Sequence, residues 1–286
     1  MVLMARTAID GSSHMQTSLT PMKVAPSKIE EVDARRMAQV MREVGGGGEA
    51  INSGWMVYDG PGSWATYAAG LGLSGPVTST EIQRLIDFYD AHGVDAQIQT
   101  TPYQDPSLFR SLSEHDFVPD DFTIMLVHDL EEIPKPRLPG LKFVKVDPRN
   151  DAHIRTFVET QEIGFYGPAL APPGIDAITE RVARHPRCRL WILKLDGQIV
   201  GSGGLEVFED NAVLIAGAVD PDARQQGIQS AFISYRLQIA RKLGLSYALV
   251  GSVPNGGTER NALRHGFVPV MTQVFLRRRL GPKAKP

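Results

Sequence analysis

Residues 212–244 hold the densest chemical signal in the chain. An apolar run at 212–219 leads into a polar loop at 220–229, and an amphipathic segment follows. Ile228, Ala231, Phe232, Tyr235 and Ile239 recur at helical spacing, so a helix starts at or near Gly227. A strand, a loop with one glycine and a helix N-terminus together aim several backbone N–H groups at one point. That arrangement binds an anion. Gly227 lets the loop come close to its ligand. No Lys-Ser or Lys-Thr pair follows Gly227, which argues against a magnesium-nucleotide loop, and the glycines do not have dinucleotide-fingerprint spacing.

Other reactive residue types are sparse. Glu206 ends a predicted strand, and strand alternation leaves its face undecided. Glu162 and Tyr166 follow a predicted helix. Each reads first as a surface residue and second as a proton-transfer group. Ser202 sits in a Gly201–Gly204 run inside a strand, where a bulge or close packing explains the glycines better than a nucleophile elbow does. The seven histidines show no paired ligand spacing and there is one cysteine, so no metal is expected. Cys188, between Arg187 and Arg189, is weighed as a reactive thiol and set aside because it opens a strand. His265 is explained by the preference of helix C-termini for cations.

The elements that must position these groups fall into two sets. A chain of 286 residues, 42% hydrophobic with net charge -2, has length for about two domains. Near-neutral charge provides no general attraction to nucleic acid or to an anionic membrane. The basic ending, Arg277 to Arg279 with Lys283 and Lys285, reads as a solvated strand end and tail. A lone cysteine fits a reducing cytosol, and neither a membrane-length apolar run nor a signal peptide is seen, so a cytoplasmic location is expected. Residues 1–23 read as a flexible arm whose four methionines leave the natural start open.

The chain also says one thing twice. Residues 110–130 and 260–280 align at a constant offset of 150, with Arg110/Arg260, His115/His265, Phe117/Phe267, Val118/Val268, Pro119/Pro269, Leu126/Leu276 and Leu130/Leu280 identical. That exceeds chance, and it implies a duplicated fold unit. Between the copies, residues 131–140 carry Pro134, Pro136 and Pro139, which resist helix and central strand. The expected domains are therefore 24–130 and 141–286, joined by that linker. The second reads as strand 142–146, helices 151–163 and 173–184, hairpin 189–195 and 198–207 around Asp196-Gly197, strand 212–219, helix 227–243, strand 247–250, helix 257–264 and strand 270–279. The first reads as helix 28–44, a flexible Gly45–Gly48 connector, strands 54–58 and 63–70, helix 80–91, strand 95–100 and a closing helix and strand.

The loop Arg224-Gln225-Gln226-Gly227-Ile228-Gln229, preceded by Val219-Asp220-Pro221, resembles the acyl-CoA pyrophosphate loop of the GCN5-related N-acetyltransferases (GNAT), Gln/Arg-x-x-Gly-x-Gly/Ala after Val-x-Pro. Gln229 departs, standing where glycine or alanine is usual. The element order of the second unit is also the GNAT order. The resemblance implies an α/β (α+β) fold of two tandem GNAT-like domains, each a mixed, mostly antiparallel twisted sheet flanked by helices. The N-terminal copy is degenerate, because residues 72–80 lack the loop pattern and Pro76 removes an amide donor. It further implies acetyl-CoA as cosubstrate, an amine as acceptor, and direct attack in the C-terminal unit. The cosubstrate would meet Ala218 and Val219, the loop residues Arg224 to Gln229, Ser230, and Asn255 or Asn261. Glu206, Glu162 and Tyr166 are the catalytic candidates, the latter two because GNAT acceptor pockets form after this helix. The family's usual Tyr is replaced by Ala262, and the strand 212–219 has no carboxylate. A non-catalytic acyl-CoA-binding or sensor protein is therefore the alternative. A homodimer is left open.

Overall fold

The structure, a computed structural model, describes residues 24–45, 47–136, 138–167 and 175–281. The expected arm at 1–23, the Pro173 helix start, Arg137 of the linker and the end of the basic tail lie outside the described residues. Helix α1 (Pro26–Val44) comes first, with proline in its first turn. Strands β1 (Gly47–Ile51), β2 (Gly54–Tyr58) and β3 (Ala68–Ala69), α2 (Ser79–Ala91), β4 (Ala96–Thr100), α3 (Pro106–Glu114) and β5 (Val118–His128) follow. The second half runs β6 (Leu141–Lys145), α4 (Asp151–Tyr166), α5 (Ile175–Arg184), β7 (Cys188–Leu195), β8 (Gln198–Phe208), β9 (Asn211–Val219), a 3-10 turn (Pro221–Ala223), α6 (Ile228–Lys242), β10 (Tyr247–Ser252), α7 (Gly257–Arg264) and β11 (Val268–Arg278).

Two expectations fail in the first half. Gly47 and Gly48 are not connector but the start of β1, paired with Tyr58 and Val57. The strand expected at 63–70 shrinks to Ala68–Ala69. Gly60 and Gly62 take left-handed backbone angles, and the Thr66 hydroxyl ties the turn together by accepting from Asp59 N–H at 3.0 Å and donating to Gly60 O at 2.9 Å.

The described strands form one mixed, mostly antiparallel sheet in the order β1-β2-β3-β4-β11-β5-β10-β9-β8-β7-β6. The closing strands of the two halves are exchanged. β11 pairs with β4 of the first half, and β5 pairs with β10 of the second. β5 and β11 also pair with each other about a pseudo-twofold, Val118 against Arg277 and Val268 against Val127. This accounts for the repeat. Proline cannot donate to a ladder and survives in a central strand only at a bulge. The register shifts just after Pro269 and again at Pro119, the same place in each copy.

Helices cover both faces. Leu126, Leu205, Leu214, Phe232 and Leu237 build the core beneath α6, and Ile82, Leu85, Ile98, Leu108 and Leu112 build the one beneath α2 and α3. On the opposite face, Ile29 of α1 packs with Met125, Val127 and Leu249, and Ile178 of α5 packs with Val40 and Val44 of α1. Helix α1 of the first half therefore lies beside α5 and α4 of the second.

Candidate functional site

The site starts from a break in β9. β9 runs parallel to β10 only from Asn211 to Val213, opposite Tyr247 to Leu249. Beyond that, 214–219 pairs with β8 alone and a gap opens between β9 and β10. Against β8 the register shifts between Ser202 and Gly204, and Ala216 is driven to φ 53°. A Cβ at Gly203 would lie 2.7 Å from the Phe232 ring and 2.8 Å from Ala216 O, so only glycine fits there. The bulge is held from α4, where Gln161 Nε2 donates to Ser202 Oγ at 2.6 Å and to Ala216 O at 2.8 Å. Gly164 lets α4 sit against Ala218, since a Cβ there would come within 2.6 Å of the Ala218 methyl.

The loop leaves β9 through a 3-10 turn capped by Asp220, whose side chain accepts from Asp222 N–H. Arg224 folds back on α4, donating from Nη2 to Gly164 O at 2.8 Å and from Nε to Val219 O at 3.3 Å. Gln225 and Gly227 have φ of 65° and 82°. A Cβ on Gly227 would meet nothing within 4 Å. Its left-handed backbone, rather than crowding by the chain, is therefore what demands glycine. No side chain caps the N-terminus of α6, so its leading N–H groups face the loop's open side. The matching helix of the first half is closed: Thr78 and Glu81 form a capping box on α2.

Behind the loop, Ile228 anchors α6 in the core. Asn261 Nδ2 donates to Gln229 Oε1 at 2.7 Å, and Gln229 Nε2 donates to Thr258 Oγ1 at 3.3 Å. The larger residue at 229 thus bridges α6 to α7. Ser230 Oγ lies 3.1 Å from His265 Nε2, and His265 Nδ1–H donates to Asn261 O at 2.8 Å, which makes Ser230 the donor to the ring. Asn255 is exposed at the entry to α7, with φ 59° and its N–H on Glu259 Oε2. The structure gathers Gln229, Ser230 and Asn261, while Asn255 stands apart from their network.

Two cavities meet at the bulge. A slot of about 150 Å³ lies in the gap between β9 and β10, lined by Leu214, Gly217, Gln229, Arg236, Val250 and Ala262 among others. A larger cavity of about 430 Å³ lies between α1 and α4–α5, with Met37, Val40, Trp64, Glu162, Tyr166 and Glu206 in its wall. Phe165 and Ala216 line both. The three catalytic candidates therefore share one cavity, and one side of its wall, Arg36, Met37, Val40, Val44 and Trp64, comes from the other half of the chain.

The charges sort themselves. Glu206 is 3% exposed. Its oxygens are taken by Arg36 Nη1 of α1 at 2.8 Å and Arg187 Nε at 3.4 Å, so it ties the two halves together and is not a free proton acceptor. Arg36 also binds Asp33 at 3.0 Å, which accepts from Gln273 at 2.8 Å. Burial alone would disfavour charge on Arg36, yet Asp33 and Glu206 outweigh it and raise its pKa. Burial pushes the Cys188 thiol up to about 12, which removes it as a nucleophile. Arg236 is 3% exposed, donates to Gly204 O at 3.1 Å, and has no ion pair among the described residues. Burial pulls its pKa down to about 9. Sequence reasoning missed Gln161, Arg36 and Arg236. A glutamine or arginine on an amphipathic helix carries no local signal, and Arg36 acts from the other half of the chain. Among the described residues no group of three or more potential metal ligands occurs, and no helix is long and apolar enough to cross a membrane.

Residues 150–267 match the acetyltransferase (GNAT) family model. No curated protein sequence matches the chain. Among solved structures, it is similar to a GCN5-related N-acetyltransferase from Kribbella flavida, with TM-score 0.66, 14% identity, and 90% of this chain and 96% of that chain covered. A tandem GNAT protein from the clavulanic acid biosynthesis pathway is similar over 91% of this chain and 98% of that one, with TM-score 0.56 and 13% identity. A GCN5-related N-acetyltransferase from Sphaerobacter thermophilus is similar over 77% of this chain and 74% of that one, with TM-score 0.57 and 17% identity. At these identities the likeness is one of fold.

Proposed function

We propose that the chain is an acyl-CoA-dependent N-acyltransferase, a reading supported by the match of residues 150–267 to the acetyltransferase (GNAT) family model and by the fold shared with a tandem GNAT protein. It would move acetyl from acetyl-CoA to an amine by direct attack in the C-terminal unit, 141–286, with 24–130 serving as a non-binding partner unit. The observation that carries this reading is the junction at Ala216. The narrow slot reaches from Gln229 near the uncapped α6 terminus to the bulge, where Phe165 and Ala216 line both it and the acceptor-sized cavity.

The residues present fit the cosubstrate. The loop 224–229 and the first turn of α6 would hold the pyrophosphate, and the slot would take the pantetheine arm. Acetyl-CoA supplies an activated thioester. The backbone at Ala218 and Val219, freed from β10, would donate to its carbonyl oxygen as negative charge grows there. The amine nitrogen attacks the carbonyl carbon, a C–N bond forms, the C–S bond breaks and the thiolate takes up a proton. Glu162 would accept the amine's proton, since it lines the cavity and has no recorded partner among the described residues. Tyr166 lies in the same wall and would return a proton to sulfur.

A second reading, a non-catalytic acyl-CoA sensor, is favoured by one observation: Ala262, fully buried in the slot wall, occupies the position of the family's usual acid. Release of free thiol from acetyl-CoA over a panel of amines separates the two. Amine-dependent release is expected. Binding without amine-dependent release would establish the sensor.

A further inference from the structure

We propose that the acceptor is a cationic amine on an apolar aryl or alkyl body, its ammonium received by Glu162 and its body held between α1 and α4–α5. This rests on the transferase reading above, because it assigns the second substrate of that site. Three observations lead to it.

The first is the wall. Met37, Val40, Val44, Phe157, Phe165 and Val182 dominate the lining and offer no hydrogen bonds. A sugar amine or a polyamine would strand polar groups there, each costing about 1–3 kcal/mol. An apolar body gains from the same burial. A cavity of about 430 Å³ is of small-molecule size.

The second is charge. Arg36, Asp33, Glu206, Arg187, Glu43 and His185 form one closed set of pairs: Arg187 binds Glu43 at 2.8 Å and His185 binds Glu43 at 2.9 Å, beside the contacts of Glu206 and Arg36 given above. Glu162 lines the same cavity and has no recorded ion pair or hydrogen bond among the described residues. With it, four carboxylates face two guanidiniums and the His185 imidazole, so the carboxylates outnumber the cationic partners even with that ring protonated. A cation is the complement that the set lacks.

The third is the rim. Trp64 and Phe165 are 45% and 58% exposed, yet both line the cavity. Exposed aromatic faces beside an unpaired carboxylate suit the body of an amine and its charge together. Trp64, Met37 and Val40 come from the first half of the chain. That half thus sets acceptor choice, although its own helix α2 is capped against an anion.

The test is calorimetry on the full chain with three probes: phenylbutylamine, phenylbutanol and aminobutanol. Phenylbutylamine should bind at least about tenfold more tightly than either of the others. Glu162→Gln should bring the amine and the alcohol within about threefold of each other, and Trp64→Ala should weaken phenylbutylamine by about threefold or more without affecting aminobutanol. Both side chains are partly or largely exposed, so folding is not at stake. Aminobutanol binding as well as phenylbutylamine, an amine preference that survives Glu162→Gln, or no phenylbutylamine binding at all would each overturn the proposal. If phenylbutylamine behaves as expected but releases no thiol from acetyl-CoA, the amine site stands and the transferase reading falls. If thiol release occurs with polar amines alone, this inference falls and the transferase reading stands.

Discussion

Replacing Arg36 with methionine should unfold more of the protein than any surface change could. Arg36 is the buried cation between Asp33 on its own helix, at 3.0 Å, and Glu206 on β8, at 2.8 Å. Asp33 is 1% exposed and Glu206 is 3% exposed. Removing one partner of a buried pair leaves an uncompensated charge and costs about 3–5 kcal/mol. Arg36→Met strands two carboxylates, although Gln273 still donates to Asp33 and Arg187 still reaches Glu206. We therefore expect a loss of about 3–5 kcal/mol, a large share of the roughly 5–15 kcal/mol that holds a typical domain. Denaturant melts of the wild type, Arg36→Met, Glu206→Gln and the double variant close the cycle. The double variant should recover about 1–3 kcal/mol over the sum of the singles, because Glu206 no longer carries a stranded charge. A loss under about 1 kcal/mol for Arg36→Met, or no coupling, would refute the view that this network joins the two halves.

Three further outcomes are expected. Gly227→Asp should weaken acetyl-CoA by at least about tenfold in calorimetry while the protein stays folded, with a stability loss of about 1–3 kcal/mol: it sets a carboxylate where the α6 N–H groups converge, in a position with free space for the side chain but a strained φ of 82°. Gln161→Leu leaves Ala216 O unpaired, a cost of about 1–3 kcal/mol. It should lower kcat for transfer by about tenfold or more while acetyl-CoA affinity stays within about threefold, and equal loss in both would detach the bulge from the chemistry. Burial raises Glu30 from 4.5 to about 7, with a Thr101 hydrogen bond opposing and Asp33 adding to the rise. Its stabilising contribution is full below the unfolded value and is lost as pH rises through about 7. Glu30→Gln should then gain stability relative to the wild type between pH about 5 and about 8, by up to about 3 kcal/mol in paired melts.

What the sequence disclosed, and what it withheld, follows from the range of each interaction. The loop and α6 were legible because strand, glycine and helical spacing are local in the chain. So was the β8 bulge, where Gly201, Gly203 and Gly204 mark close approach. The repeat disclosed two units, yet not that β5 and β11 change places, because exchanged and unexchanged closing strands present the same residues to the same ladders. The short β3 was overread because 63–70 is apolar enough for a strand while Gly60 and Gly62 bend the chain just before it. Resemblance singles out Glu162 and Tyr166, which line the cavity proposed for the acceptor. The wall opposite, Met37 and Val40, could not be singled out in this way, since it lies more than a hundred residues away in the sequence. Glu206 shows the limit most plainly: a strand-end carboxylate looks available until Arg36, from the other unit, is seen to occupy it.

The most direct test of the account is the stoichiometry of acetyl-CoA on the full chain. An open α6 terminus beside a slot, against a capped α2 terminus in the other unit, predicts one site per chain, measured by isothermal titration and lost in Gly227→Asp. Two equivalents bound, or one equivalent that survives Gly227→Asp unchanged, would contradict it.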